Sequence, residues 1–399
     1  MSQSSDSKTL DAKVIVVGGG PAGLAAAAAL ASEGVATIIV APESPFDPRT
    51  VALMDPSLRL LGRLGIWPGP LSLISAPLRH LEIIDEMGNL ISAPKLMFSS
   101  HELGLEAFGW NIPLAGLVAE LRDAATGFGA GIVTDTVVKA EDLGAVVAVD
   151  TARGERLYAE AIIAADGAES VLRNCAGIEV DRWTFDQAAL VTNFTHSGPH
   201  NSVSTERHRP GGAFTTVPLP GNTSSLVWMG KPALLESLVF RTGQELAREI
   251  QLATHGVLGL ISAPTPPKVI PMRGLMARRF AAARTLLVGE TAHAFPPIGA
   301  QGLNMSMRDV GHAIDAILGA DDAGDDSVLE AYHNRRHRDI SERQAIITLM
   351  NTSMLAEFLP LDLLRVGGLS AIAAFPPLRA LVMRQGLAPD NKLPFAMRG

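Results

Sequence analysis

The chain has 399 residues, 47% hydrophobic and 19% charged, with a net charge of −8 from 33 basic and 41 acidic residues. It is too long for one simple core, so two or more domains are expected, and the acidic balance without a basic run excludes a nucleic-acid binder. The single cysteine, Cys175, excludes an internal disulfide and a cysteine metal cluster, and no metal site is expected.

Residues 1–12 are polar and lack an apolar segment, so they read as a disordered tail and not as a signal peptide. Residues 13–17 (KVIVV) are rich in β-branched side chains and predict a strand. A glycine-rich turn follows, then an alanine-rich stretch, 24–32, that favours helix and stops at Gly34. Residues 36–40 (ATIIV) predict a second strand, which completes a β-turn-α-β unit. Residues 56–66 carry a helical pattern in Leu58, Leu60, Leu61, Leu64 and Ile66. Residues 79–97 alternate around the turn signal Met87-Gly88-Asn89 and predict a hairpin. An amphipathic helix is expected over 114–126, and several strands over 131–165. From about Arg182 to Met272, Thr, Ser, Val and Pro dominate, as in an antiparallel sheet, with a helix at 244–254. The first pattern returns at 284–289, and helices are expected through most of 303–350 and in the apolar tail to 399. No run of eighteen apolar residues occurs, so no spanning helix is expected; a cytoplasmic setting follows, with any membrane contact peripheral.

Three motifs carry chemistry. In Gly18-Gly19-Gly20-Pro21-Ala22-Gly23, Gly18 suits a tight turn, Gly20 lets backbone approach a pyrophosphate, and Gly23 lets helix pack on strand. The helix N-terminus beyond offers N–H groups and positive dipole to an anion. The acid expected on the ribose about twenty residues later is missing: Ala41 ends the second strand. Glu43 either replaces it or is a solvated loop charge. The second motif runs from Asp166-Gly167 to Arg173 after the apolar run 161–165. Asp166 there suits polar cofactor atoms at a sheet's carboxyl edge, or else an Asp-Gly turn capping a helix through Ser170. The third, Gly289-Glu290-Thr291-Ala292-His293 through Pro297, Gly299, Gly302, Leu303 and Asn304, follows the apolar run 285–288. Glu290 can accept bonds from sugar-like hydroxyls, and the helix beginning near Leu303 can stabilise negative charge on a ring. His293 reads as a structural histidine bonded to backbone, with a catalytic base as the alternative.

Together, in this order and spacing, the motifs resemble the class A flavoprotein aromatic hydroxylases. Asp47 to Trp67, Phe108 to Pro113, Pro296 to Asp309, Phe358-Leu359-Pro360 and Pro376 to Arg379 are similar to the ubiquinone-biosynthesis group within that family. The resemblance covers nearly the whole chain after the tail. It implies a doubly wound, Rossmann-like α/β FAD-binding domain built from 13–78, 111–180 and 273–345. An antiparallel-sheet substrate domain (79–110 and 181–272) is inserted in it, and helices 346–399 follow. By position, Gly18, Gly20, Ala22 and Gly23 hold the ADP part of FAD. Asp166 and Gly167 contact FAD and NAD(P)H, and Gly289 and Glu290 the ribityl chain, Glu290 standing where the family has aspartate. Pro297, Gly299, Gly302, Leu303 and Asn304 line the flavin. Arg49 matches a family arginine near the cofactor, or is a surface ion-pair partner.

The implied reaction uses NAD(P)H as a transient cosubstrate and O2, through a flavin C4a-hydroperoxide, to hydroxylate an aromatic ring. The substrate implied is a prenylated phenol of ubiquinone biosynthesis. The flavin carries the chemistry, so no protein nucleophile is expected. Alternatives are a hydroxylase of a small soluble phenol, a flavin-dependent prenyl reductase and a non-enzymatic flavin-binding protein. The pocket wall is expected from the inserted sheet, including Phe214 and residues near Pro218 to Pro220. The tail 351–399, with five basic against three acidic residues, suits an anionic membrane surface or a partner in a biosynthetic complex. Simple packing of its helices on the FAD domain is the other reading.

Overall fold

The computed structural model describes residues 10–43, 45–88, 93–296, 300–355, 359–386 and 393–398. The β-branched run forms strand Val14–Val17, buried along its whole length. It lies inside a six-stranded sheet in the order Ala281–Ala282, Thr285–Leu287, Ala161–Ala164, Val14–Val17, Thr37–Val40, Gly131–Val133. From Thr285–Leu287 onward the neighbours pair in parallel, with Val14 opposite both Ala161 and Thr37. Parallel strands need helical crossovers that cover the faces, which is why these strands are apolar without alternation.

Helix Pro21–Ser32 crosses between the first two strands. Seven alanines among its twelve residues make it a slim cylinder buried against the sheet and against helices Leu114–Gly127 and Gln301–Leu318. Proline opens the helix, and Gly34, at φ +75°, follows its end.

The second layer is a large, mainly antiparallel sheet. Its main order is His293–Ala294, Lys268–Ala277, Val180–His196, Thr223–Gly230, Gly212–Leu219, Val203–Arg209, His80–Asp85, Leu96–Ser99. The hairpin expected at 79–97 is the pairing of the last two strands; Asn89 of its turn lies outside the described residues. Helices Pro232–Val239 and Gly243–Ala253 cover one face of this sheet. The second is the one expected at 244–254, and a capping box of Thr242 and Glu245 starts it. The first, eight residues long, was not legible.

A three-stranded sheet, Thr50–Met54, Gly109–Pro113 and Ala76–Leu78, joins the layers. Asn111 is buried there and donates through Nδ2 to Pro218 O at 2.9 Å, across to the large sheet. Helices Gln301–Leu318, Asp326–Leu355, Leu359–Ala374 and Pro376–Gly386 follow.

Candidate functional site

The three motifs meet at the carboxyl end of the parallel sheet. Gly18 turns the chain at φ +125°, and a Cβ there would lie 2.2 Å from Ala165 O, the residue before the second motif. A Cβ on Gly23 would lie 2.1 Å from Gly18 O. Both glycines are fixed by the protein's own backbone. Gly20 differs: it is exposed, has ordinary dihedrals (φ −79°, ψ 174°), and nothing lies within 4 Å of its would-be Cβ. It opens helix Pro21–Ser32 without a side-chain cap, so the N–H groups of the first turn are unused by side chains.

In the second motif, helix Val171–Cys175 consumes the Asp166 carboxylate. One oxygen accepts from Ser170 Oγ at 2.6 Å and Thr291 Oγ1 at 3.4 Å, the other from the N–H groups of Val171 at 2.9 Å and Leu172 at 3.3 Å. Ser170 Oγ accepts from Arg173 N. The capping alternative therefore describes this side chain. Gly167, at φ +86°, donates its N–H to Thr291 Oγ1 at 3.1 Å, tying the second motif to the third. Arg173, fully buried, strengthens the tie by donating to Thr291 O and Ala168 O, both at 2.9 Å. Burial, then the nearby Arg182, push its guanidinium below the usual range.

The third motif rests on the first. Gly289 sits at φ +64°, and its would-be Cβ meets Ser306 Oγ at 3.0 Å and the Ala22 methyl at 3.6 Å. Its N–H donates to Asp309 Oδ2 at 2.9 Å, the oxygen that also lies 2.6 Å from His293 Nε2. Arg336 Nε donates to the other oxygen at 2.6 Å. Burial pushes the Asp309 carboxyl up, but His293, Arg336 and the Gly289 N–H outweigh it and hold it below the usual range. The partner of His293 is thus a buried carboxylate on helix Gln301–Leu318, not the expected backbone group. Its ring stacks on Phe295, centroids 5.4 Å apart.

That helix starts at Ala300, which adopts a left-handed conformation (φ 54°) and supplies no side-chain cap. Gly302 is exposed with nothing within 4 Å of its would-be Cβ, and Leu303 is half-buried against the core. Asn304 is buried and fully used: Nδ2 donates to Ala52 O and Ala300 O, and Oδ1 accepts from Met54 N and Ser57 Oγ, all within 2.9 Å. It fixes the helix start instead of presenting its amide outward. Glu290 is exposed and lies close enough to Arg49 to raise that guanidinium's pKa, after the larger effect of Asp47, which binds Arg49 at 2.6 Å. Glu43 is exposed. Pro297 and Gly299 lie outside the described residues.

The sequence profile of the FAD binding domain family matches residues 11–343. The chain belongs to this FAD-binding family. Over its length it is 27% identical to the ubiquinone hydroxylase UbiL of Rhodospirillum rubrum, covering 94% of this chain and 89% of that protein. It is 27% identical to the 3-demethoxyubiquinol 3-hydroxylase of Escherichia coli, covering 90% and 94%. Among solved structures, p-nitrophenol 4-monooxygenase PnpA of Pseudomonas putida superposes with a TM-score of 0.75 at 20% identity over 95% of this chain and 98% of that one; this likeness concerns the fold.

The residues present fit FAD. At Gly20 and Gly302 a Cβ would fill open space beside an uncapped helix start, the arrangement a dinucleotide needs at its pyrophosphate and ring ends. At Gly18, Gly23 and Gly289 the glycines instead keep the three motifs in register.

The sheet face turned toward the FAD turn differs from the expected wall. Phe214 faces away: its ring packs edge-on against Trp228, centroids 5.1 Å apart, in the cluster under helices Pro232–Val239 and Gly243–Ala253. The opposite parity faces the FAD layer. Ile83, Glu206, Thr215 and Val227 stand side by side across four strands, and each is half-buried. Ile83 packs in a cluster with Met54, Phe98, Phe108, Met383 and Ala300, which places this row next to the start of the third-motif helix. No sequence signal singled it out.

Proposed function

We propose that this FAD-dependent enzyme uses NAD(P)H and O2 to hydroxylate the ring of a polyprenyl phenol in ubiquinone biosynthesis. The observation that carries the reading is similarity to two ubiquinone hydroxylases along 94% and 90% of the chain. Bound FAD supplies the redox and oxygen-transfer chemistry. The chain's own work is to bind, orient and exclude water. Gly18, Ala22 and Gly23 shape the turn that presents Gly20 and the open helix start beyond it, which take the pyrophosphate. Glu290 and Arg49 face its sugar-like hydroxyls, and Glu43 is the candidate for the adenosine ribose. Gly302 and Leu303 turn the helix start toward the ring, with Pro297 and Gly299 assigned there by motif position. Asp166, Gly167, Gly289 and Asn304 hold the three motifs in place. The substrate ring lies between the cofactor domain (13–78, 111–180 and 273–345) and the inserted sheet (79–110 and 181–272), on the half-buried row at Thr215.

A prenyl tail needs an apolar exit. Among the described residues no single helix is long and apolar enough to cross a membrane. The segments 366–374 and 376–384 meet at a 107° bend, and Phe375, Leu381 and Val382 are exposed there. Such a surface suits peripheral contact with a bilayer that holds the substrate. The deciding experiment is quinone-intermediate analysis in a strain lacking the gene. A polyprenyl phenol short of one hydroxyl should accumulate and disappear on complementation. Normal quinone levels would refute the reading.

A further inference from the structure

Helix Asp326–Leu355 carries one polar stripe. Tyr332, Arg336, Asp339 and Arg343 are spaced by four, three and four residues, so they share a face. The stripe holds the third motif at successive points. Tyr332 is buried and donates its hydroxyl to Leu287 O at 2.7 Å, where the strand before the motif ends. Arg336 donates through Nε to Asp309, whose other oxygen holds the Gly289 N–H. Asp339 accepts from Arg336 Nη1 at 2.5 Å and from Arg343 Nε at 3.3 Å. Arg343 Nη1 then donates to Gln301 Oε1 at 3.2 Å. Burial pushes the Asp339 carboxyl up, but Arg336, Arg308 and Arg343 outweigh it and hold it well below the usual range, so the stripe stays charged.

The contact at Gln301 falls on a strained spot. Gln301 opens its helix directly after Ala300, whose left-handed backbone (φ 54°, ψ 31°) is one that alanine keeps only where its surroundings enforce it. Asn304 holds the Ala300 carbonyl at 2.7 Å from within the helix. Arg343 holds the next residue from outside it. We propose that Arg343 is a positioning residue for FAD: through Gln301 it sets the helix start against the flavin ring. Arg336, through Asp309, sets Gly289 from the same face, so one helix fixes both ends of the segment 289–301. The inference rests on the reading above that this helix start faces the ring. The N–H groups of such a start stabilise negative charge on the reduced ring. A displaced start therefore weakens the binding of reduced FAD more than that of oxidised FAD, and the reduction potential falls.

The test compares Arg343→Met with wild type. Asp339 keeps Arg336 and Arg308 in the variant, so the Tm of the FAD-free protein should move by no more than about 2 °C. Its affinity for FAD, read from flavin fluorescence, should fall about tenfold, the size of one lost hydrogen bond to a charged group. The two-electron potential of the FAD-loaded protein should fall by about 30 mV, a further tenfold loss for the reduced form. Arg343→Lys, which keeps a cationic donor, should recover part of both. Arg338→Met, which removes an exposed ion pair with Glu342 on the same helix, should change neither. Gln301→Ala removes the acceptor and should give the shifts of Arg343→Met; combining the two should add nothing further. A wild-type affinity and potential in Arg343→Met overturn the inference, as do equal shifts in Arg338→Met or additive losses in the double variant. A purely structural arginine would lower Tm and leave the potential in place. If Gly302→Val also keeps wild-type affinity and potential, the ring does not face this helix start, and the parent reading falls as well.

Discussion

Gly18 and Gly20 are two residues apart and serve opposite purposes. Gly18 faces protein: a methyl would overlap Ala165 O at 2.2 Å, and φ +125° disfavours any L side chain. The dihedral alone costs about 2 kcal/mol, and the overlap is with backbone that cannot step aside. Gly20 faces solvent with ordinary dihedrals. Gly18→Ala should therefore lower the stability of the FAD-free protein by more than about 2 kcal/mol in urea unfolding. Gly20→Ala should change it by less than about 0.5 kcal/mol yet weaken FAD binding about tenfold or more, a difference of about 1.4 kcal/mol. Equal loss of stability in both variants would show that Gly20 is also held by the protein and is not the open face of the site.

At the scale of the element, helix Gln301–Leu318 joins site and core. Asn304 pins its start, and Arg308, Asp309 and His312 are buried about one to two turns further along. Those charges meet helix Asp326–Leu355. Arg336 binds Asp309 and Asp339, and Arg308 reaches Asp339 at 3.3 Å. His312 sits among these cations. Burial, then Arg336, Arg335 and Arg308, push its imidazole down to about 3. In the unfolded chain the same group titrates at about 6.5. Between those values the unfolded chain takes up a proton that the folded chain refuses. Stability therefore falls as pH drops from 6.5 toward 3, by up to about 4 kcal/mol at the low end. His312→Asn should flatten this part of the Tm–pH curve; an unchanged slope would assign the loss to other groups.

The helix also shows what was legible. Its glycines and its position after an apolar strand could be read, because a turn's demand for glycine is local. The partner of His293 could not, since Asp309 lies 16 residues on and looks like any charge on a helix. The same limit hid the wall of the site. Alternation in 212–219 marks a strand but not which parity meets FAD. Both faces are buried, with Phe214 and Trp228 under the helices and Ala213 and Met229 toward the core of the parallel layer. Without a polar face, period two carries no direction.

At the scale of the whole molecule, the site is assembled from pieces far apart in sequence. The Gly18 turn presses on Ala165, Gly167 binds Thr291, Gly289 packs on Ala22, and Asn304 binds Met54 across 250 residues. A ligand seated on all of them binds the folded chain and not the unfolded one. FAD at a hundred times its Kd should then add about 2.7 kcal/mol of stability, which for a chain of this size is a rise in Tm of roughly 3 °C. The antiparallel sheet tests whether the layers respond together. Trp183 and Trp228 lie in it, and Trp110, in the small joining sheet, packs against Trp67, centroids 5.1 Å apart. Asn111 and the cluster around Ile83 and Ala300 cross between the layers. Tryptophan fluorescence and far-ultraviolet circular dichroism should accordingly give one transition that FAD moves as a unit. If FAD moved the dichroism transition and left the fluorescence transition in place, the layers would unfold separately, and the crossing contacts would be too weak to couple the substrate face to the cofactor.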